Sequence, residues 1–457
     1  MLRRGKRRVV ISSLYIGTEE EELIKSLESL LSSQPHLRMT IILDYHRSTR
    51  LSPTSSSNAP STTHMLLPLV RAYGDRCEVW LYRSPNLRGV MEMIVPERYD
   101  EGWGTWHGKW YAVDDEVILS GANLARSYFT NRQDRYIHFR SHPSLLSYLS
   151  SLTRLYTNYS YRLSPSLPPS VNKLYSVPLP QPIHSSAALI WPTPSVHPRH
   201  FGPHALATLT ALQNTWRTSN ASRSRRVDAD TYVWPVIQAG VLGMREEEKA
   251  MELVWDAVRD KGLSPTKRNI QVDLTSGYFA LFPAYKKSII NSPAPVRIIA
   301  ASPRANGFYG SKGFSRLIPE GYTFLERNFW RDCLSAGRVW RDRKEQWEGV
   351  RLREWEKEGW TYHSKEQNVK LNKKSTFDPF FTFIGSSNLS TRSLNLDTEL
   401  SLFISTSSPI LHRSLGKELR ALNVHARDVN EDTWERKDRK VSFLAKVLVF
   451  LGVEGML

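Results

Sequence analysis

Apolar and polar positions along this chain follow two rhythms. Val9 to Ile16 is a nearly continuous apolar run, the pattern of a buried strand, and Gly17-Thr18 breaks it. Glu19 to Glu22 then supplies an acidic first helical turn, and Leu23, Ile24, Leu27, Leu30 and Leu31 mark one helical face. Thr40 to Leu43 predicts a second strand, so the start has the β-α-β order of a mixed or parallel sheet. Gly17 reads as a plain turn, because the GxxxxGK[ST] of a phosphate loop is missing.

Two stretches break the rhythm. Residues 47–64 are crowded with Ser, Thr, Pro and Asn and predict a long exposed loop. From Leu163 to Pro203 prolines recur, and the boundary between two halves is expected there. Beyond it the opening pattern returns: Thr275-Ser-Gly-Tyr-Phe echoes Ser13-Leu-Tyr, and Val296 to Ala301 echoes the run ending at Leu43, as in an internal duplication. Thr208 to Lys267 reads as mostly helical. Glu326 to Trp360, dense in Arg, Lys and Glu with five interspersed tryptophans, predicts a solvated helix docked through its indoles.

The expected organisation is therefore a first half over 1–180, a linker and helical insertion over 181–270, a second half over 271–430, and a basic and apolar tail over 431–457. In that tail Arg436, Lys437, Arg439 and Lys440 precede Phe443, Leu444, Val447, Leu448 and Leu451 on one side of a helix. This is the pattern of an interfacial helix on an anionic membrane.

Composition narrows the picture without deciding it. With 457 residues and 40% hydrophobic content, the chain can bury at least one large core, so it is globular. The formal charge of +17 favours a polyanionic partner: nucleic acid, an anionic membrane or a phosphate-bearing substrate. Cys77 and Cys333 lie far apart without CxxC spacing, which indicates neither a disulfide framework nor a zinc site and fits a reducing compartment. Val441 to Leu457 is too short, and too interrupted by Lys446 and Glu454, to span a membrane. The basic start runs directly into Val9, leaving no room for a complete transit peptide, so an unusual targeting signal or a missing leader is expected.

The chemistry is carried by a repeated constellation. His107-Gly-Lys109 with Asp114 satisfies H-x-K-x4-D, and His363-Ser-Lys365 is a second H-x-K. A single H-x-K is common by chance. Here, however, Ser120-Gly-Ala-Asn123 follows the first and Gly385-Ser-Ser-Asn388 the second, and Asp134 and Glu399 each stand 11 residues after their asparagine. Strand signals around Tyr111, Val113 and Val117 to Leu119 place each H-x-K at or beside a strand, where His and Lys two residues apart share a face.

Phosphodiester transfer calls for these residue types. One neutral imidazole attacks phosphorus, while a second donates a proton to the departing oxygen and later acts as base. Lys109, Lys365, Asn123 and Asn388 suit charge on the phosphoryl oxygens. Asp134 and Glu399 are the candidates for orienting the imidazoles, each serving the histidine of the opposite half.

These residues resemble the phospholipase D superfamily, which implies two α/β/α sandwich halves about a pseudo-twofold with one active site at their interface. Longer strings resemble the eukaryotic mitochondrial phosphatidylglycerophosphate synthase family over nearly the whole chain: Ser13-Leu-Tyr-Ile-Gly-Thr, Leu87-Arg-Gly with Pro96-Glu-Arg, Leu119 to Leu124, Tyr128 to Tyr136, Ala301 to Gly313, and Gly359 to Lys365. The family's catalytic residues then fall on His107, Lys109, Asp114, His363 and Lys365. Lys370 stands where the second motif of the superfamily has its aspartate, and Glu366 opens a polar stretch where the likeness weakens.

The resemblance implies transfer of a phosphatidyl group from CDP-diacylglycerol to glycerol 3-phosphate, with CMP leaving through a phosphatidyl-histidine intermediate. It also implies a peripheral site on the mitochondrial inner membrane. No cofactor or metal is needed to make the nucleophile, although a divalent cation would assist with substrate charge, and no nucleic-acid partner is expected. Arg304 and Lys312, in the glycine-rich loop Ala301 to Gly313, are the candidates for the acceptor phosphate. The alternative is a phospholipase-D-type phosphodiesterase acting on another phospholipid, or on nucleic-acid ends as in tyrosyl-DNA phosphodiesterase.

Overall fold

The computed structural model describes residues 1–52, 59–166, 175–179, 187–221, 228–262, 270–342, 347–371 and 378–450. Its frame is two large mixed sheets with helices packed against them, an α/β arrangement in which the second sheet repeats the first. In the first, Arg8–Ser12 pairs in parallel with Arg38–Asp44 and antiparallel with Trp110–Val113. In the second, Ile270–Ser276 pairs in parallel with Val296–Ala301 and antiparallel with Lys365–Leu371.

The correspondence continues outward on both sides. Glu116–Ser120 and Tyr136–Phe139 match Phe381–Gly385 and Thr398–Thr406, while Cys77–Tyr82 and Ser160–Ser164 match Val350–Trp355 and Ala426–Asp428. The helix Glu21–Ser33, buried through Leu27, Leu30 and Leu31, is the crossover that a parallel pair requires. Ile384, Leu400, Leu402 and Ile404 of the second half join the first half's hydrophobic core. Arg135 bridges the halves by ion pairs to Glu366 and Glu418, each at 2.9 Å.

Four sequence expectations are corrected. The stretch 181–270 is more than a linker and helical insertion. Ala188–Ile190 extends the first sheet, and Thr231–Ala239 lies antiparallel to Thr398–Thr406 in the second. Pro235 disguised that strand, and it is tolerated because only Gln238 and Ala239 pair on the outer side, with Arg245 and Met244.

The Ser/Thr-rich stretch 47–64 is not simply an exposed loop. Asp44 caps the helix Tyr45–Thr49, Ser61 caps Thr62–Tyr73, and His46, Ser48, Thr49 and Thr62 to His64 are buried. Residues 53–58 lie outside the described residues.

The tryptophan-rich segment is helical only through Ser335. Gly337 adopts φ 67° and Arg338 N–H returns to Cys333 O, which stops the helix. Trp340 and Trp347 then stack on each other, and Trp355 ends a strand buried against Tyr362.

In the tail, Arg439 is not a surface cation but is buried in an ion pair with Glu354. The helix Phe443–Phe450 lays Ala445 and Val449 inward toward the helix Leu317–Ser335, while Phe443, Leu444 and Phe450 stay exposed. Leu451 of the expected apolar face lies outside the described residues. Among the described residues no helix is long and apolar enough to cross a membrane.

Candidate active site

The two H-x-K segments meet where the halves join, and the backbone brings them there. Trp106 bridges to Thr398, and His107 N–H donates to Thr398 O at 2.9 Å, which sets Glu399 against the imidazole. In mirror fashion, Arg132–Gln133 pairs in parallel with Thr361–Tyr362, and His363 N–H donates to Gln133 O at 2.8 Å, which sets Asp134 against the other ring. Each carboxylate is therefore delivered from the opposite half by a strand hydrogen bond one residue away.

The resulting contacts are short and dry. His107 Nδ1 lies 2.8 Å from Glu399 Oε2, and His363 Nδ1 lies 2.7 Å from Asp134 Oδ2. A carboxylate at Nδ1 leaves Nε2 of each ring for chemistry. Lys109 Nζ donates to His107 O at 2.7 Å, and Lys365 Nζ donates to His363 O at 2.6 Å while standing against the His363 ring. Beneath His107, Trp106 Nε1 donates to Ser12 Oγ, which donates to Gly108 O; Thr105 donates twice to Asp397. Gly121 is required by close packing, since a Cβ there would stand 2.9 Å from Asp134 Oδ1.

Burial governs the titration of the cluster. It lowers the pKa of His107, with Lys109 adding to the effect and Glu399 opposing it. It carries His363 well below the ordinary value, helped by the charges of Lys365 and Arg132. Lys109 is lowered to about 7 and Lys365 to about 8, again by burial first. Asp134 is raised to about 6 by burial, whereas at Glu399 the pairing with His107 and the nearby Lys109 overcome burial and hold it at about 2. Both imidazoles are thus neutral at pH 7, beside ionised carboxylates.

The remaining candidates divide. Asn123, 4% exposed, donates to Tyr128 Oη at 3.1 Å, and that hydroxyl lies 3.5 Å from His363 Nε2. Asn388 is buried in the matching turn after Phe381–Gly385, its backbone N–H held by Ser393.

Asp114 is not brought to the site. It takes φ 51° at the far end of Trp110–Val113, and its carboxylate accepts the backbone N–H groups of Lys6, Arg7 and Arg8. It fastens the edge of the first strand, and although burial raises its pKa, the three N–H groups together hold it below the ordinary value. Lys370, in the corresponding position of the second motif, is buried within its strand at 3.7 Å from Asp273.

Arg304 and Lys312 also stay outside. Arg304 is 61% exposed and faces Asp438 at 3.8 Å, and Lys312 is exposed. Their loop approaches the site through Gly307 instead, beside Tyr278 and Arg132. Arg132, Tyr128 and Tyr278 were not singled out by the sequence reading, although Tyr128 and Arg132 belong to one of the strings that carried the resemblance.

Two H-x-K imidazoles, each backed by an acid from the other half of a duplicated α/β fold, thus stand in one buried cluster where the halves join. No protein-family model matches the chain. Among curated proteins it is 32% identical to the CDP-diacylglycerol–glycerol-3-phosphate 3-phosphatidyltransferase of Schizosaccharomyces pombe, over 98% of this chain and 90% of that one. The mitochondrial enzymes of the same name from Gallus gallus and Homo sapiens are also each 32% identical over 98% of this chain, which covers 79% and 78% of their lengths. The chain belongs to the CDP-diacylglycerol–glycerol-3-phosphate 3-phosphatidyltransferase family. The solved phosphatidylserine synthase of Haemophilus influenzae Rd KW20 shares its fold, with a TM-score of 0.66 at 17% identity over all of this chain and 91% of that one.

Proposed function

We propose that this protein moves the phosphatidyl group of CDP-diacylglycerol to the primary hydroxyl of glycerol 3-phosphate, giving phosphatidylglycerophosphate and CMP, with His107 as the covalent carrier. The observation that carries this reading is the reciprocal pairing of His107 with Glu399 and of His363 with Asp134. Such a pair of oriented, neutral imidazoles suits a double displacement.

In the first step His107 Nε2 attacks phosphorus and the bond to the CMP oxygen breaks, the electron pair leaving with CMP as a phosphate that needs no proton from the neutral His363. In the second, His363 removes the proton of the acceptor hydroxyl as its oxygen attacks, and His107 leaves with its electron pair. Lys109, Lys365 and the amides of Asn123 and Asn388 stabilise the equatorial oxygens. A divalent cation would serve the charge of the substrate's diphosphate and would not be needed to make the nucleophile.

The purified protein should release CMP from detergent-dispersed CDP-diacylglycerol at a rate that depends on glycerol 3-phosphate, with one phosphatidylglycerophosphate formed per CMP. Release indifferent to the acceptor, with phosphatidic acid as product, would mark a hydrolase instead.

The pH dependence follows from the directions of the shifts. Neutral imidazole grows in as pH rises through a pKa held below the ordinary 6.5, so the rising limb of kcat/KM should lie below that value. The falling limb should come as Lys109 and Lys365 lose their protons, through about 7 and about 8. A rising limb centred above 6.5 would contradict the neutral-imidazole ground state.

Peripheral binding to an anionic membrane, the mitochondrial inner membrane by kinship with relatives named mitochondrial, belongs to the same reading. It is supported by Phe443 and Phe450, 81% and 90% exposed on a helix that contains Lys446 and follows Lys440. Replacing both phenylalanines by serine should weaken sedimentation with cardiolipin-containing vesicles by about tenfold or more, and leave activity in detergent unchanged. Unaltered vesicle binding would place the membrane contact elsewhere.

A further inference from the structure

The acceptor of the proposed reaction is a phosphomonoester, and the groups assigned so far leave its phosphate without a partner. In that reading Lys109 and Lys365 serve the reacting phosphorus, while Arg304 faces Asp438 and Lys312 lies exposed. We propose, resting on that reading, that Arg132 binds the phosphate of the acceptor in a subsite on the His363 side, walled by Tyr128 and Tyr278.

Arg132 lies in the two-residue strand paired with Thr361–Tyr362, and so is fixed beside the second H-x-K. Its Nε donates to Thr361 Oγ1 at 3.0 Å, and its guanidinium carbon stands 4.5 Å over the Tyr128 ring. Tyr128 in turn meets the His363 ring edge-on at 5.2 Å, and Tyr278 meets it at 5.4 Å. The cation and the imidazole therefore share two aromatic walls.

Two features mark Arg132 as a ligand group. First, it forms no ion pair with a carboxylate among the described residues, whereas its neighbours are neutralised: Arg47 pairs with Glu101 at 3.3 Å and Arg135 with Glu366 and Glu418. A partly buried guanidinium held by the Thr361 hydroxyl and the Tyr128 ring, with no carboxylate paired to it among the described residues, can take a phosphate dianion as its charge partner. Second, the glycine-rich loop comes down on it. A Cβ at Gly307 would stand 3.0 Å from Tyr278 Oη and 3.2 Å from Arg132 Nη2, so a larger residue there would crowd the guanidinium.

The side is also the right one chemically. An acceptor that displaces His107 must enter along the line by which CMP departed, opposite the nucleophile and next to His363. CMP is itself a phosphomonoester, so the test must separate donor from acceptor.

Acceptor-dependent CMP release is measured for the full chain with glycerol 3-phosphate and with glycerol, which lacks the phosphate. Arg132→Gln should reduce the kcat/KM preference for glycerol 3-phosphate over glycerol by about 30-fold or more, over and above any loss common to the two acceptors. Parallel loss with both acceptors would overturn the proposal, showing that Arg132 acts through His363. A rise confined to the KM for CDP-diacylglycerol would also overturn it, assigning Arg132 to the donor. If Arg132→Gln does not fold, Gly307→Ala decides: a raised KM for glycerol 3-phosphate with glycerol turnover intact supports the subsite, and an unchanged preference rejects it. Wild-type protein with no acceptor-dependent release at all would instead remove the phosphatidyl-transfer reading itself.

Discussion

His107→Ala should lower turnover by about four orders of magnitude or more, because in the proposed double displacement its imidazole carries the phosphatidyl group. His107 alone has its Nδ1 held by a carboxylate that remains ionised well below neutrality, the pairing with His107 and the nearby Lys109 outweighing the burial of Glu399. That leaves Nε2 with its lone pair toward substrate. The variant keeps the Thr398 contact, which is made by the backbone, so the interface and the fold survive. Steady-state CMP release from detergent-dispersed substrate measures the loss. Residual activity above about one hundredth of wild type would mean that another group can take the phosphatidyl load.

His363→Ala should separate the two half-reactions. CMP departs as a phosphate with little need of a proton, so its release should fall by only about tenfold. The acceptor hydroxyl is a poor nucleophile until its proton is removed, and its attack should slow by about a thousandfold. His363 suits the base role because burial and the neighbouring Lys365 and Arg132 charges keep it deprotonated. Rapid-quench kinetics should then show a burst of CMP equal to the enzyme present, followed by slow turnover. Equal slowing of both phases, with no burst, would contradict this division of labour.

What the sequence disclosed depended on how local each signal was. The strands Arg8–Ser12 and Ile270–Ser276 were legible as apolar runs, and the duplication was legible because the same strand-helix-strand order recurs around them. The acids could be proposed from position alone, since Asp134 and Glu399 keep one spacing from matched asparagines, although their crossing between halves is a property of the two interface strand pairings.

Features set by distant contacts were hidden. The importance of Arg132 depends on Thr361, Tyr278 and Gly307, each far away in sequence. Arg304 has the composition of a phosphate ligand but is turned outward to Asp438. Arg439 looked like a membrane cation because nothing in the local sequence announces Glu354 beneath it. Asp114 completes a motif that reads as catalytic, yet its position seven residues along carries it past the pocket to the end of the strand, where backbone N–H groups await it.

The most direct test of the two-histidine account uses CDP-diacylglycerol labelled at the phosphatidyl phosphorus, mixed with enzyme in the absence of acceptor, quenched in alkali and digested. The account predicts label on the peptide bearing His107, bound to the ring nitrogen and discharged within one turnover when glycerol 3-phosphate is added before the quench. Label on the His363 peptide, or a His107 label that glycerol 3-phosphate does not discharge, would contradict it.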